Sequence, residues 1–253
     1  AAPGMGIPAP GLRARPMNDA SSVVVALLDT GIPASGIAHA DFLLPGVSVG
    51  AAASPPGTGL THGSAMFETI IQGLAITQGE TGGQPIRVLP VDIYGGQSQA
   101  STFELAQGIV AALEGGADII NLSLSGPSPS PLVQDVLRQA GNAGVLAFAA
   151  PGNEPTTLPT YPAAYPETIA VTASARAGTL APYANRGNFV DLMAPGTSVV
   201  PFAGDTWAVQ GTSVSTAYVA GLAAGLLSQP GRTTSDVVGE LRQKLAFRPP
   251  GNP

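Results

Sequence analysis

The stretch VVVALLDTGI at residues 23–32 places a lone carboxylate at the end of a continuously apolar segment. The residues before Asp29 are Val, Leu and one Ala, and the chain turns at Thr30 and Gly31. Continuous apolar runs are typical of strands that are buried on both faces of a parallel sheet. The stretch therefore predicts a central strand that delivers Asp29 to its C-terminal end, where open α/β sheets carry their sites.

Apolar and amphipathic segments alternate along the rest of the chain. Strand patterns lie at 86–93, 117–125, 145–153, 168–174 and 190–196, and helix patterns at 65–76, 101–116, 131–144, 212–229 and 234–247. Strands separated by helices indicate a parallel sheet that is covered on both faces. We therefore predict an α/β fold of three layers, with a mostly parallel central sheet flanked by helices. Residues 1–20, rich in Pro, Gly and Ala, predict a surface arm, and residues 21–253 a single domain.

Composition narrows the class of function. The 253 residues include no Cys, so the chain has no disulfide framework and no thiolate metal site. The net charge of −6 and the scattered basic residues predict no nucleic-acid partner, because phosphate binding relies on clustered Lys and Arg. No apolar run approaches the ~18 residues that a membrane span needs, so we expect none.

The chain has only two histidines, and their contexts differ. His62 stands in THGS, at a tight turn before an apolar helix, from which its ring can project into a crevice. His39 is flanked by Ala40 and Asp41 and is typical of a turn residue. A lone histidine is more often structural than catalytic, but this difference in context makes His62 the better candidate for a site residue.

Two further polar residues stand at ends of predicted elements. Ser213 follows Gly211 and Thr212 and opens a helix of small residues, beside free backbone N–H groups that can stabilise an oxyanion. A residue that only caps the helix suits the same position. Asn153 follows a strand and a glycine, on a loop from which its carboxamide can point into the crevice.

Asp-Thr-Gly after an apolar run is also the signature of aspartic proteases, but those pair two such motifs and this chain has one. Taken together, four motifs resemble those of the subtilisin-like serine proteases, or subtilases: Asp29 in DTG, His62 in HGS, Asn153 in GN and Ser213 in GTS. The chain order Asp, His, Ser is that of subtilisin and differs from that of chymotrypsin. The blocks ADIINLSLSG, YPAAYPETIAVTA and VDLMAPG extend the resemblance over residues 21 to about 245.

The resemblance implies a serine endopeptidase that acts on protein or peptide substrates. Asp29, His62 and Ser213 would form the triad, and the side-chain amide of Asn153 with the backbone N–H of Ser213 would meet the oxyanion. Extended peptide would lie between two edges of a cleft, adding strands through main-chain hydrogen bonds. The residues that the family pattern places along these edges are Gly95 and Gly96 on one side and Ser123, Leu124 and Ser125 on the other.

The first specificity pocket, by the same resemblance, lies between Ser123–Ser125 and the segment around Ala150, with Thr160 as its floor. Relatives commonly have glycine at the floor, so the branched Thr160 predicts a shallower pocket. We expect a preference for Ala, Val, Leu or Met before the cut, with Phe and Tyr disfavoured and Lys and Arg poor.

Some features depart from the family pattern. Glu68 stands where relatives have glycine, and a charge there must reach solvent or find a partner. The loop after this helix lacks the Asn-rich sequence that binds calcium in many relatives, and Asp41 alone does not make a site, because Ca²⁺ takes six to eight oxygens. We therefore leave any metal unassigned and expect the chemistry to require no cofactor.

The sequence leaves the biological role open. A selective processing or maturation protease fits the same motifs as a degradative one, and a non-catalytic binding module can keep the same fold. A propeptide would be a further partner, and a secreted or periplasmic location is expected over a cytoplasmic one.

Overall fold

The computed structural model describes residues 22–50, 58–78 and 83–248. Its strands are β1 (Val23–Asp29), β2 (Val47–Ser48), β3 (Ile86–Asp92), β4 (Ile119–Leu122), β5 (Leu146–Ala149), β6 (Ile169–Ser174), β7 (Leu192–Pro195), β8 (Thr197–Phe202) and β9 (Asp205–Gln210). Its helices are α1 (His62–Thr77), α2 (Thr102–Glu114), α3 (Pro131–Asn142), α4 (Thr212–Leu227) and α5 (Thr234–Leu245), with a 3-10 turn at Ala40–Phe42. The arm predicted at 1–20 lies outside the described residues.

A parallel sheet forms the centre of the described chain. Seven strands pair in the order β2–β3–β1–β4–β5–β6–β7, each parallel to its neighbours, and β8 and β9 form a separate antiparallel hairpin. Side chains alternate across the sheet: Val25 and Leu27 face one core, whereas Ala26 and Leu28 face the other. The predicted three-layer α/β fold is confirmed, while the single domain over 21–253 stays a prediction.

The two faces of the sheet are covered by different helices. Phe67 of α1 and Val219 of α4 belong to the first core, and Ile109 of α2 and Leu137 of α3 belong to the second. Residues of α5 add to the first core. Within the described residues no helix combines the length and apolarity that crossing a membrane requires.

Helices α1 and α4 approach each other unusually closely. A Cβ atom on Gly221 would lie 2.0 Å from the carbonyl oxygen of Ile70, and one on Gly73 would lie 2.1 Å from that of Tyr218. Because neither contact leaves room for a side chain, both glycines are required by the packing. The helices that begin at His62 and at Thr212 are therefore locked to one another.

Strand lengths differ from those predicted. β4 ends at Leu122 and β5 at Ala149, so the segments 123–125 and 150–153 are loops beyond the strand ends. The hairpin β8–β9 was not predicted at all. Its second strand is mostly exposed and lacks a buried face, so alternation of apolar residues gave no signal there.

Candidate active site

Asp29 and His62 are in direct contact at the end of the central strand. The Nδ1 atom of His62 lies 2.8 Å from Oδ1 and 2.9 Å from Oδ2 of Asp29. A carboxylate only accepts hydrogen bonds, so Nδ1 carries the proton and Nε2 is left as the basic nitrogen. Asp29 is 2% exposed, whereas 45% of the His62 side chain is exposed. The acid is thus buried behind an imidazole that faces solvent.

Short contacts fix the loop and the helix that carry this pair. The backbone N–H of Gly63 donates to Oγ1 of Thr30 at 2.9 Å, and Oγ1 of Thr61 donates to the carbonyl of Gly31, also at 2.9 Å. A Cβ atom on Gly63 would lie 2.2 Å from the carbonyl oxygen of Thr30. Thr61 also caps α1, accepting from the N–H of Ser64. The position of His62 is therefore set by the chain on both sides of the contact.

The charge of Asp29 acts on two neighbouring groups. Burial lowers the pKa of His62, but the charge of Asp29 and its hydrogen bond raise it, and the net pKa lies above the ordinary value. The pKa of the Tyr94 hydroxyl is raised by burial and, to a lesser degree, by the charge of Asp29. A raised pKa makes His62 a stronger base, which suits an imidazole that must take a proton.

Ser213 is hydrogen-bonded to the residue that directly follows β4. Its Oγ donates to the carbonyl of Ser123 at 3.1 Å, and Oγ of Ser123 donates back to the carbonyl of Ser213 at 3.1 Å. Since Leu28 lies opposite Leu122 in the β1–β4 register, Asp29 and Ser123 are adjacent residues at one edge of the sheet. Neighbouring strands lie about 4.8 Å apart. His62, which contacts Asp29, and Ser213, which contacts Ser123, are therefore held at neighbouring positions of the sheet.

The Ser213 hydroxyl does not point at His62 in this structure, because its hydrogen bond runs to Ser123. Hydrogen bonds between a nucleophile and its base are often long or misdirected without substrate and tighten when substrate is bound. A rotation about the Cα–Cβ bond would release the hydroxyl from the carbonyl. The structure therefore brings Ser213 to the site without showing the serine–histidine bond.

The start of α4 carries an arrangement that suits an anion. Oδ1 of Asn153 accepts from the N–H of Thr212 at 2.9 Å, which leaves the NH₂ group of Asn153 to donate elsewhere. The next N–H groups of the helix, those of Val214 and Ser215, bond to the carbonyl of Gly211. Among the described residues, none accepts from the N–H of Ser213. Two donors, one from a side chain and one from the backbone, are thus available beside the hydroxyl.

A cavity of about 430 Å³ opens next to Ser213. The predicted pocket residues that line it are Ser123, Leu124, Ser125, Ala150 and Thr160, and Asn153 lines it as well. Thr160 is 9% exposed, and its Oγ1 donates to the carbonyl of Pro151 at 2.6 Å. This bond restrains the threonine side chain in the cavity wall. Exposed Glu154 also lines the cavity.

Gly95 and Gly96, predicted to form one edge of the cleft, lie in a tight turn after β3. Both have positive φ angles, 54° and 80°, which side chains rarely adopt. Oδ1 of Asp92 accepts from the N–H groups of Tyr94 and Gly95, each at 3.0 Å, and so shapes the turn. Gly96 and His62 line a second cavity of about 670 Å³.

Asp41 lies in the 3-10 turn and His39 directly precedes it, and neither residue takes part in this cluster. His39 instead contacts Glu68, so the buried charge on α1 has the partner that the sequence analysis required. Among the described residues, no group of three or more His, Cys, Asp or Glu side chains could hold a metal ion. Asp41 therefore belongs to no such group in the part of the chain that the structure describes.

Sequence reasoning missed several residues that support the site. Thr30 and Thr61 join the loop to α1, and Thr212 accepts from the N–H of Gly152 at 3.2 Å. Asn185, 1% exposed, donates to the carbonyl of Pro151 and accepts from the N–H of Glu154 at 2.8 Å. Thr61 had a usable signal, since threonine directly before an apolar helix is typical of an N-cap. Asn185 had none, because its partners are remote in sequence.

Comparison with known proteins gives the family. The model of the subtilase family, peptidase S8, matches residues 20–245. Subtilisin from Bacillus pumilus is 34% identical over 237 residues, which cover 90% of this chain and 85% of that relative. The chain therefore belongs to the subtilase family, and it is a subtilisin-like serine endopeptidase. It spans 61% of the length of some other curated subtilisins that it matches, among them subtilisin E from Bacillus subtilis (strain 168).

Two solved structures illustrate the range of similarity. The prenylagaramide maturation protease PagA has a TM-score of 0.67 and 26% identity, and the match covers 81% of this chain and 75% of PagA. A cold-adapted subtilisin-like serine proteinase has a TM-score of 0.73 and 22% identity, with coverage of 89% and 83%. The second match supports the fold alone.

Proposed function

We propose that this chain hydrolyses peptide bonds through Asp29, His62 and Ser213 by way of an acyl-enzyme. The hydroxyl of Ser213 attacks the carbonyl carbon as Nε2 of His62 takes its proton. His62 then returns the proton to the leaving amine, and water cleaves the ester in the same manner. The buried carboxylate of Asp29 holds the ring in the required tautomer and stabilises the imidazolium. The observation that carries the proposal is the two-oxygen contact between Asp29 and Nδ1 of His62.

The oxyanion of each tetrahedral intermediate would be stabilised by Asn153 and Ser213. Because Oδ1 of Asn153 is held by the N–H of Thr212, the NH₂ group is oriented before substrate arrives. The N–H of Ser213 adds a backbone donor from the first turn of α4, where the helix dipole also favours negative charge. Both donors are fixed by the fold and need no rearrangement in the transition state.

The residue before the cut would enter the cavity of about 430 Å³ next to Ser213. Its wall includes Leu124 and Ala150, and the restrained side chain of Thr160 limits its depth. No acid other than Glu154 lines the cavity among the described residues, and Glu154 is exposed. We therefore propose a preference for small to medium apolar residues, with aromatic and basic residues disfavoured.

A selective maturation protease is the second candidate role. The likeness to PagA, whose name describes a maturation protease, favours it over general degradation. Digestion of casein or gelatin separates the two: broad cleavage supports a degradative role, and slow cleavage by an enzyme with a reactive Ser213 supports selective processing. A propeptide and a secreted or periplasmic location stay predictions.

Reaction with a fluorophosphonate tests the proposal directly. We expect one adduct per chain, on Ser213, with no adduct on the Ser213→Ala variant and none on unfolded protein. The Ser215→Ala variant is a matched control, since Ser215 lies on the same helix but donates to the carbonyls of Ala194 and Pro195. If folded, native protein gave no adduct, the triad assignment would be wrong, and a binding module with the same fold would be the remaining interpretation.

A further inference from the structure

Glu68 is a buried carboxylate that the proposed chemistry does not use. It lies on α1 six residues after His62 and is 1% exposed. Burying an ion without a partner is costly, so the contacts around its two oxygens must compensate. The sequence alone predicts that Glu68 requires a partner or solvent, but it does not identify the partner.

All the partners of Glu68 come from one short segment. Oε1 accepts from the N–H of Ala38 at 2.9 Å and from the N–H of His39 at 3.3 Å. Oε2 lies 2.6 Å from Nδ1 of the His39 ring. One carboxylate thus binds two backbone amides and one imidazole of the chain that follows Asp29, and it fastens that chain to α1.

The fastened segment forms a wall of the cleft. Residues between 30 and 43, with His62, line the cavity of about 670 Å³. The segment is held to α1 at its start by the contacts of Thr30 and Gly31. Its middle is held to the β8–β9 hairpin, because the N–H of Ala203 donates to the carbonyl of Gly36 at 2.9 Å. Glu68 supplies the last attachment before the 3-10 turn. Without Glu68, this end of the wall would keep its hydrogen bonds to β3, from Arg87 to the carbonyl of Asp41 and from the N–H of Leu44 to the carbonyl of Val88, but it would lose its hydrogen bonds to α1.

We propose that Glu68 is a positioning residue, which through His39 and the amides of Ala38 and His39 fixes the cleft wall at residues 30–43 and thereby promotes substrate binding. The inference rests on the proposed function, because the wall matters only if substrate binds beside His62. It assigns Glu68 to binding and not to the chemical step, since none of its contacts involves Asp29, His62 or Ser213.

The charge on His39 gives the contact a pH dependence. The hydrogen bond to Glu68 raises the pKa of His39, burial lowers it, and the charge of Glu68 raises it, so that the net pKa lies above the ordinary value. The stabilisation is therefore complete below the ordinary pKa of about 6.5 and is lost as the pH rises through the higher, folded-state value. Helix α1 carries one other ionisable group, His62. The other ionisable groups on neighbouring elements are Asp29 on β1, Asp41 in the turn, Arg87 and Asp92 on β3, Asp205 on β9, and Tyr218 on α4.

The test is steady-state kinetics on a peptide substrate at several pH values, for the wild type and three variants. Glu68→Gln keeps the shape but removes the charge, and we expect KM to rise about five- to tenfold near pH 6 while kcat stays within about twofold. His39→Gln should give the same split. Asp41→Asn, a neighbouring acid in the same turn that does not contact Glu68, is the matched control and should leave KM unchanged.

The wild type provides a test that no folding defect can obscure. Its KM should rise as the pH passes above the folded-state pKa of His39, and this rise should be absent from Glu68→Gln. The inference would be overturned if the KM of the wild type stayed constant while His39 titrates. It would also be overturned if Glu68→Gln lowered kcat by the same factor as it raised KM. Fluorophosphonate labelling separates the two proposals: an unlabelled wild type removes the proposed function, whereas full labelling with an unchanged KM removes only the role of Glu68.

Discussion

Two carboxylate–imidazole pairs involve helix α1, and they are arranged in opposite ways. In the first, the strand supplies the acid, Asp29, and the helix supplies His62; in the second, the helix supplies Glu68 and a turn supplies His39. Both acids are buried and both rings are partly exposed, at 45% and 34%. Both histidines also have raised pKa values. Local chemistry therefore does not distinguish the proposed catalytic pair from the other pair.

The difference lies in what surrounds each ring. The same end of the sheet as His62 carries Ser213, the two proposed oxyanion donors and, next to Ser213, a cavity of about 430 Å³. The ring of His39 lies in the loop wall, and the contact that defines it is the one to Glu68. A base is useful only where a nucleophile and a substrate can reach it, and the strand order provides this at His62 alone.

The largest expected effect comes from removing each histidine in turn. His62→Gln should lower kcat by about 10⁴-fold or more, because the serine then has no base, whereas His39→Gln should leave kcat within about twofold. Both variants would be compared with the wild type on one peptide substrate near pH 7. Similar losses from the two substitutions would show that the pairs are not functionally different and would remove the assignment of His62.

The proposed oxyanion donors provide a second test of the difference between the two pairs. Asn153→Ala should lower kcat by about 10²- to 10³-fold, a magnitude measured for such a donor in a subtilisin, with little change in KM. The physical reason is that the amide acts mainly on the charge that develops in the transition state. An increase in KM equal to the loss in kcat would mean that Asn153 only shapes the ground-state cavity.

The pH dependence should also separate the two rings. Protonated His62 cannot accept a proton from Ser213, so kcat should fall as the pH decreases through a pKa above 6.5. His39→Gln should not move this acidic limb, because the charge that raises the pKa of His62 belongs to Asp29. Profiles of kcat for both proteins between about pH 5 and 9 provide the measurement. A shift of the acidic limb of the kcat profile in His39→Gln would show that the two pairs are coupled.

Much of this picture could be predicted from the sequence. The apolar run before Asp29 and the alternation of strands and helices predicted the three-layer α/β fold, and short motifs predicted the candidate triad. The partner of Glu68 could not be predicted, because it depends on the path of a loop that brings His39 back across α1. The hydrogen bonds between Ser123 and Ser213 were missed for the same reason: they join segments 90 residues apart. Periodicity shows which face is buried, but it does not show which loops meet.

A more modest change is expected at the cavity next to Ser213, which neither His39 nor Glu68 lines. The hydroxyl of Thr160 donates to the carbonyl of Pro151 at 2.6 Å, which holds the branched side chain in the cavity wall. Thr160→Gly removes that bulk, so the pocket should deepen and selectivity should shift toward Phe and Tyr. One methylene in a pocket is worth about 1–3 kcal/mol, so the shift should be roughly tenfold or more.

Competing substrates that differ only in the residue before the cut would measure this shift. Thr160→Ser is the matched control, because it keeps a hydroxyl for the carbonyl of Pro151 and removes only the methyl group. We expect the serine variant to lie between the wild type and Thr160→Gly in its preference for Phe over Leu. If the wild type already cleaves faster after Phe than after Ala or Leu, Thr160 does not limit the depth of the pocket. The contrast between the two imidazole sites would then rest on the nucleophile and the oxyanion donors alone.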